Sequence, residues 1–435
     1  MTPPGRPTTR RRLPSLSLGP TYRSLRVPNY RRYFVGYLVS VIGGWMQRVG
    51  QDWLILELTH SSLALSLSLV AQFLPMLVLG FWGGVVVDRV DTRRLLIVTQ
   101  ALQMVLAVLL SLFTVLHVAT LPAVYVLAAL LGVVTVFDNP ARQIFVNQVV
   151  AREDLVNAVV LNSVMNNIGR LIGPAIGGIA IAAFGVAVTF EVNAVSFIAV
   201  LIGLVLIRPA DLHAREAVTR GRGQVREGLR YIWADPVLRQ TLIVIAVVST
   251  FGQNFRVILP ILATNALHGG AEVYGWLTAM LGLGAVLGAV VVARATNATT
   301  GRALASCAFF AMTNLALAVV PNLITALAVV VAMGAVNMSF NTVSRSVLQL
   351  QAEPALRGRV MAVYVIVFLG ATPIGGPISG LLCAVAGARV ALLVAGAVCV
   401  APVLVIARHD PKALWRRSAK ANLSDTTPAS EKAPA

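Results

Sequence analysis

The chain has 435 residues, of which 57% are hydrophobic and only 12% charged. A soluble domain of this length cannot cover so much apolar surface, so a soluble globular protein is excluded and a polytopic membrane protein is expected. The net charge of +18 would suggest nucleic acid in a soluble chain, but the basic residues lie in the breaks between apolar runs, so no nucleic-acid partner is expected.

The first 32 residues form a Pro- and Arg-rich tail without a short apolar core and cleavage site, so no removable signal peptide is expected. Twelve apolar runs follow, near 33–57, 62–87, 95–116, 121–144, 157–183, 187–207, 239–262, 273–293, 303–320, 322–344, 360–385 and 389–407. Runs of this length cross about 30 Å of hydrocarbon as helices. Barrels need short alternating segments instead. The expected fold is an all-α membrane protein of twelve transmembrane helices in two pseudo-symmetric six-helix bundles. They cover 33–207 and 239–407, joined by a cytoplasmic loop at 208–238 and followed by a tail at 408–435. With the N-terminus inside, 31 of the 35 Lys and Arg fall in inward loops or tails. Only Arg389 falls outside, and Arg48, Arg170 and Arg256 fall within spans. That bias puts both termini in the cytoplasm of a bacterial inner-membrane type protein, with the basic loops facing anionic lipid.

Span 1 contains "WMQRVGQDW", with Arg48 and Asp52 four apart on one helical face and Gln47 and Gln51 on the adjoining one. Arg170 in span 5, Asp138 in span 4, Glu191 near the outer end of span 6 and Arg256 in span 7 add further intramembrane charges. Each costs about 2.5–3.5 kcal/mol at mid-bilayer, so they must face the protein interior or a wet cavity. A buried carboxylate resists ionisation and a nearby cation restores it, so a proton can compete for it. Asp52 is therefore the expected proton-coupling residue, tuned by Arg48 and Arg170, with Asp138 the second candidate. A static ion pair fastening span 1 is the competing account. One proton moved across 100 mV supplies about 2.3 kcal/mol.

After span 2 comes "GGVVVDRVDTRR", with Gly84, Asp88, Arg89, Arg93 and Arg94. Span 5 carries "NNIGRLIGPAIGG", in which Gly169, Gly173 and Gly177 recur every four residues, with Pro174 and Gly178 beside them. Such a bare stripe admits another helix closely, and the proline frees one carbonyl and allows a bend. Gln47, Gln51, Asn162, Asn166, Glu191, Asn193, Gln253, Asn254, Arg256, Asn337 and Asn341 are candidates for lining a substrate cavity. Interhelical hydrogen bonding accounts for the amides among them equally well.

The central break contains "VREGLRYIWADP", whose Val225, Leu229, Ile232 and Trp233 predict a short amphipathic helix on the cytoplasmic interface. An offset of 203 lays Phe137 on Phe340, Arg142 on Arg345, and Gly173, Pro174 and Gly177 on Gly376, Pro377 and Gly380. Parallel halves of this kind are a transporter architecture. The three lysines, Lys412, Lys420 and Lys432, all lie in the C-terminal tail, so no phosphate-cradling loop of an ATP-driven pump exists. His60, His117, His213, His268 and His409 are isolated, and Cys307, Cys383 and Cys399 lie singly in spans. No enzyme, metal site, disulfide framework or cofactor is expected.

The pattern G-x-x-x-D-R-x-x-x-R-R resembles the loop 2–3 signature of the major facilitator superfamily. The resemblance implies that Asp88 is held by Arg142 and by the start of span 11 near Arg359. Asp91 stands where that family usually has glycine, so the loop turn is expected to differ. The span 5 pattern G-x-x-x-G-P-x-x-G-G resembles the end of the antiporter motif of exporters, with Val160 replacing its upstream glycine. The run "NPARQIFVNQVVAREDLVNAVVLNSVMNNIGRLIGPAIGG" resembles the enterobactin-exporter-like, or transmembrane secretion effector, branch. These likenesses imply a monomer that exports a small amphipathic molecule, drug-like or siderophore-like, by proton antiport and alternating access. Proton-coupled uptake by symport is the alternative.

Overall fold

The computed structural model describes residues 20–213, 224–294 and 298–410. Most of the tail expected at 1–32, the middle of the 208–238 loop and most of the 408–435 tail lie outside the described residues. Apart from turns and one break, the described residues are helical, without strands.

A short 3-10 turn leads into α1 (Pro28–Thr59), which ends at His60 in the left-handed region. Ser61 then caps α2 (Ser62–Arg89) by accepting from the Ala64 amide, and Asp91 caps α3 (Thr92–Val115) by accepting from the Arg94 amide at 2.7 Å. Both side chains satisfy amides that a first helical turn leaves open. The segments α4 (Leu121–Val149), α5 (Leu155–Phe184) and α6 (Ala187–Val205) follow. Beyond the central loop lies α7 (Gln224–Ala234), then α8 (Pro236–Val247), whose first amides are capped by Asp235. The run then breaks. A π turn at Val248–Gly252 and a non-helical pair, Gln253 and Asn254, separate α8 from α9 (Phe255–Ile261). The last helices are α10 (Ala271–Ala293), α11 (Thr300–Ala318), α12 (Leu323–Gln351) and α13 (Arg357–His409).

Ten stretches of the described residues are long and apolar enough to cross a membrane. The sequence predicts twelve, and two features separate the numbers. The polar quartet Gln47, Arg48, Gln51 and Asp52 lowers the hydropathy of α1, which is not among the ten. The 53-residue α13 counts once, although Gly387 breaks it at φ 84° and ψ 167°. Gly185, between α5 and α6, has nearly the same geometry at φ 82° and ψ 171°. A side chain at either position would be strained.

Large apolar side chains such as Leu102 and Val105 of α3 and Val195 and Ile202 of α6 are exposed on the flanks. A water-soluble monomer rarely exposes so much apolar surface. The amphipathic α7 exposes Leu229 and Trp233, buries Ile232, and packs Gly228 on the Arg359 backbone.

Within the first part of the chain α1 packs on α5 and α6, and α4 on α2 and α3; within the second, α10 packs on α12 and α11 on α13. Two helix pairs carry most of the packing between the parts, α5 with α10 and α2 with α13. Gly178 meets Gly275 in the first bridge, and Gly380 meets Ser66 in the second. Ser62 Oγ also donates to the Gly380 carbonyl at 2.8 Å. Both bridges lie toward the end of the bundle that carries the α1–α2 turn.

Candidate functional site

Between the two bridges lies a cavity of about 550 Å³, lined by residues from α1 to α6, α9, α10, α12 and α13. The broken backbone between α8 and α9 borders it and contributes Ser249, Gln253 and Asn254. Irregular backbone at membrane depth is tolerated where it lines a cavity, and π turns recur at functional sites. The break places Arg256 in the first turn of α9.

Arg256 meets Asp52 at one edge of the cavity. Its Nε donates to Oδ2 at 2.9 Å and its Nη2 to Oδ1 at 2.6 Å, a two-pronged contact across 204 residues of sequence. Tyr274 of α10 donates its hydroxyl to Oδ2 at 2.8 Å, and Arg256 Nη1 donates to Gln72 Oε1 of α2 at 3.0 Å. Asp52 is wholly buried. Such a charge persists in an apolar interior only where several donors replace its hydration.

Arg48, the expected partner of Asp52, points elsewhere. Its guanidinium lies 4.4 Å from the ring centre of Trp45, and that of Arg170 lies 5.4 Å from the same ring. The bare stripe of α5 makes this possible. A Cβ on Gly173 would stand 2.5 Å from Trp45 Cβ, and one on Gly169 3.1 Å from Trp45 Cδ1. The glycines thus seat Trp45 against α5, and Arg170 reaches over it into the cavity. Gly177 packs on Met46 of α1, whereas Gly178 faces α10.

Asp138 is buried and accepts from Thr99 Oγ1 at 2.8 Å, Gln100 Nε2 at 2.7 Å and Arg142 Nε at 2.6 Å. Arg142 also covers the Tyr37 ring at 4.2 Å. The cation that the sequence pattern assigns to Asp88 is therefore engaged by Asp138, one turn away on its own helix. Elsewhere in the loop signature, Arg93 donates to the carbonyls of Leu204 and Val205, a cation at the C-terminal end of α6. Gly84 is buried and Arg89 exposed. Asp91 explains its departure from glycine by capping α3. Arg359 pairs with Glu227 of α7.

Of the residues proposed to line a cavity, Gln47, Gln51, Asn166, Asn193, Gln253, Asn254, Arg256, Asn337 and Asn341 do so. Asn162 and Glu191 do not, and this corrects the sequence reading. Glu191 sits on an exposed face of α6, with Ser111 Oγ at 3.5 Å, and Asn162 lies one turn from Asn166 on α5 outside the lining. Gln72, Gln103, Ser249, Tyr274 and Thr278 line the cavity and were missed. The rule that intramembrane polar groups mark function applies to Gln72 and Gln103 within their apolar runs and could have found them.

Apolar flanks around a cavity that carries polar and charged side chains, with an irregular helix and a buried ion pair at its edge, are features of a membrane transport fold. The fold agrees. A bacterial homologue of the human lysosomal transporter Spinster, inward-facing and unoccupied, superposes with a TM-score of 0.62 at 16% identity, covering 94% of this chain and all of that one. The peptide transporter POT superposes with 0.72 at 14% identity, over 89% and 95%. The chain belongs to the transmembrane secretion effector family of the major facilitator superfamily, which it matches over residues 20–427.

Three curated relatives are similar to it. The multidrug efflux pump Tap of Mycolicibacterium fortuitum is 28% identical over 82% of this chain and 89% of the pump. The staphyloferrin A transporter of Staphylococcus aureus is 26% identical over 60% of this chain and 66% of its own length. The enterobactin exporter EntS of Shigella boydii is 26% identical over 60% and 62%. The chain thus spans less than two thirds of the last two.

Proposed function

We propose that this protein is a proton-coupled efflux transporter that moves a small amphipathic molecule, drug-like or siderophore-like, by alternating access. In this reading α1 and the break at Gly387 complete twelve crossings, arranged as two six-helix halves with both termini in the cytoplasm. The end carrying the α1–α2 turn then faces outward. The α5–α10 and α2–α13 bridges close it, and the cavity approaches the inner side through Asn139 and Arg142.

The observation that carries the reading is the contact between Asp52 of the first half and Arg256 and Tyr274 of the second. It ties the halves together beside the cavity, at the closed end. Arg256 also lines the cavity, so a substrate that engages its guanidinium competes with Asp52. A carboxylate released from Arg256 is left in apolar surroundings and takes a proton from outer water once the halves part. Closure with Asp52 protonated, followed by loss of that proton inward, restores the pair. The direction of substrate movement is thereby opposite to that of the proton.

The test is purified protein in liposomes with an imposed pH gradient. Substrate export against its own gradient, abolished by a protonophore and by Asp52→Asn with counterflow retained, is the expected result. Undiminished proton-driven export by Asp52→Asn refutes the coupling, and movement of substrate with the proton refutes antiport.

A further inference from the structure

We infer that the cavity selects organic anions, held through carboxylate or catecholate-type oxygens by Arg48 and Arg170, both of which lie against the Trp45 ring. The inference rests on the transport reading above and narrows its substrate class.

Four arginines line the cavity, and they divide into two kinds. Arg142 is neutralised by Asp138, and Arg256 by Asp52. Arg48 and Arg170 have no ion pair or hydrogen bond with any described residue; each stacks on Trp45. Both side chains are exposed to the cavity that they line. Asp138 is the one carboxylate among the described lining residues, and its three donors occupy it. The cavity is therefore cationic, and nothing in its wall neutralises Arg48 and Arg170.

The unpartnered polar atoms point the same way. Gln51 Nε2, Gln103 Nε2 and Asn337 Nδ2 are buried in the lining without partners among the described residues. All three are N–H donors. Ser249 Oγ, on the π turn, is unpartnered as well and can donate. Gln51 is 3% exposed and Ser249 5%. Two free guanidiniums and a set of idle N–H groups suit a ligand rich in acceptor oxygens. Trp45 offers an apolar plane beside the two charges, and Phe73, Met76 and Leu131 line the same space, which suits an anion with an aromatic or alkyl body rather than a bare inorganic ion.

The probes are 2,3-dihydroxybenzoate and citrate as anions and tetraphenylphosphonium as a cation, titrated calorimetrically against the full-length protein in phosphatidylcholine nanodiscs. Wild type is expected to bind at least one anion in preference to the cation. Arg48→Gln and Arg170→Gln each weaken that anion by about tenfold or more, the usual loss for a charge-assisted hydrogen bond. Arg48→Lys and Arg170→Lys retain most of the affinity, and thermal melts show that all four variants are folded. Preference for tetraphenylphosphonium, failure of wild type to bind either anion, or anion affinity untouched by both Gln variants overturns the inference. Added phosphatidylglycerol that competes with the anions assigns the site to a lipid headgroup and overturns it too. Proton-driven export of the cation in the liposome assay would leave the efflux reading standing while removing this one.

Discussion

Gly178 of α5 and Gly275 of α10 pack backbone on backbone: a Cβ on Gly275 would stand 2.6 Å from the Pro174 carbonyl oxygen and 2.8 Å from the Gly178 Cα. Neither neighbour is a flexible side chain, so a methyl group must part the helices. Overpacking of this kind costs about 1–3 kcal/mol. Gly275→Ala should therefore shift the population away from the state described here. Spin labels at Leu58 and His268, both exposed near this end, should report a longer distance in the variant. An unchanged distance distribution contradicts this account of the seal.

Removing one partner of a buried ion pair costs about 3–5 kcal/mol because the other charge stays buried. Asp52→Asn and Arg256→Gln should each lower the thermal midpoint, and the double variant should lose less than the sum. Additive losses would mean that the two residues do not share the contact seen here.

The α5 stripe offers a test by rescue. A Cβ on Gly169 meets the Val41 side chain at 2.3 Å, whereas one on Gly173 meets Trp45 Cβ at 2.5 Å and the Ile42 carbonyl at 2.8 Å. Val41→Ala should restore much of the stability lost in Gly169→Ala. Trp45→Ala keeps its Cβ and should not restore Gly173→Ala. Differential scanning fluorimetry of the four single and two double variants distinguishes the cases.

Asp138 binds partners of α3 and α4 within the first half, whereas Asp52 pairs across the halves, so the proposed cycle gives Asp138 the part of a joint and Asp52 that of the shuttle. Asp138→Asn should reduce stability by breaking the Arg142 contact, yet leave export driven by an imposed pH gradient. Loss of coupling with stability intact would return Asp138 to the proton path.

Replacing Asp91 by Ala removes the cap from α3 and should cost about 0.5–2 kcal/mol, with Asn substituting well. Equal melting curves for Asp91→Ala and wild type would show that the loop does not depend on this cap.

Much of the helical framework was legible because long apolar runs have one way to satisfy their backbone in lipid. Partnership was not. Spacing of four residues suggested Arg48 for Asp52, but Trp45 draws Arg48 away, and the true partner lies 204 residues on. The same spacing did unite Asp138 and Arg142, although the motif pointed Arg142 toward the α2–α3 loop. The lining amides were largely identifiable as polar groups in apolar runs. Which face of α6 carries Glu191 depends on how α6 lies against α3, and no local pattern encodes that.

The turn at Gly387 spends a single left-handed residue between two long helical arms. With no slack between them, neither arm can slide past the other, and thrust on one is transmitted to its neighbour as rotation. In the proposed cycle the hairpin therefore travels as one unit, and opening the outer end requires Gly380 to leave Ser66.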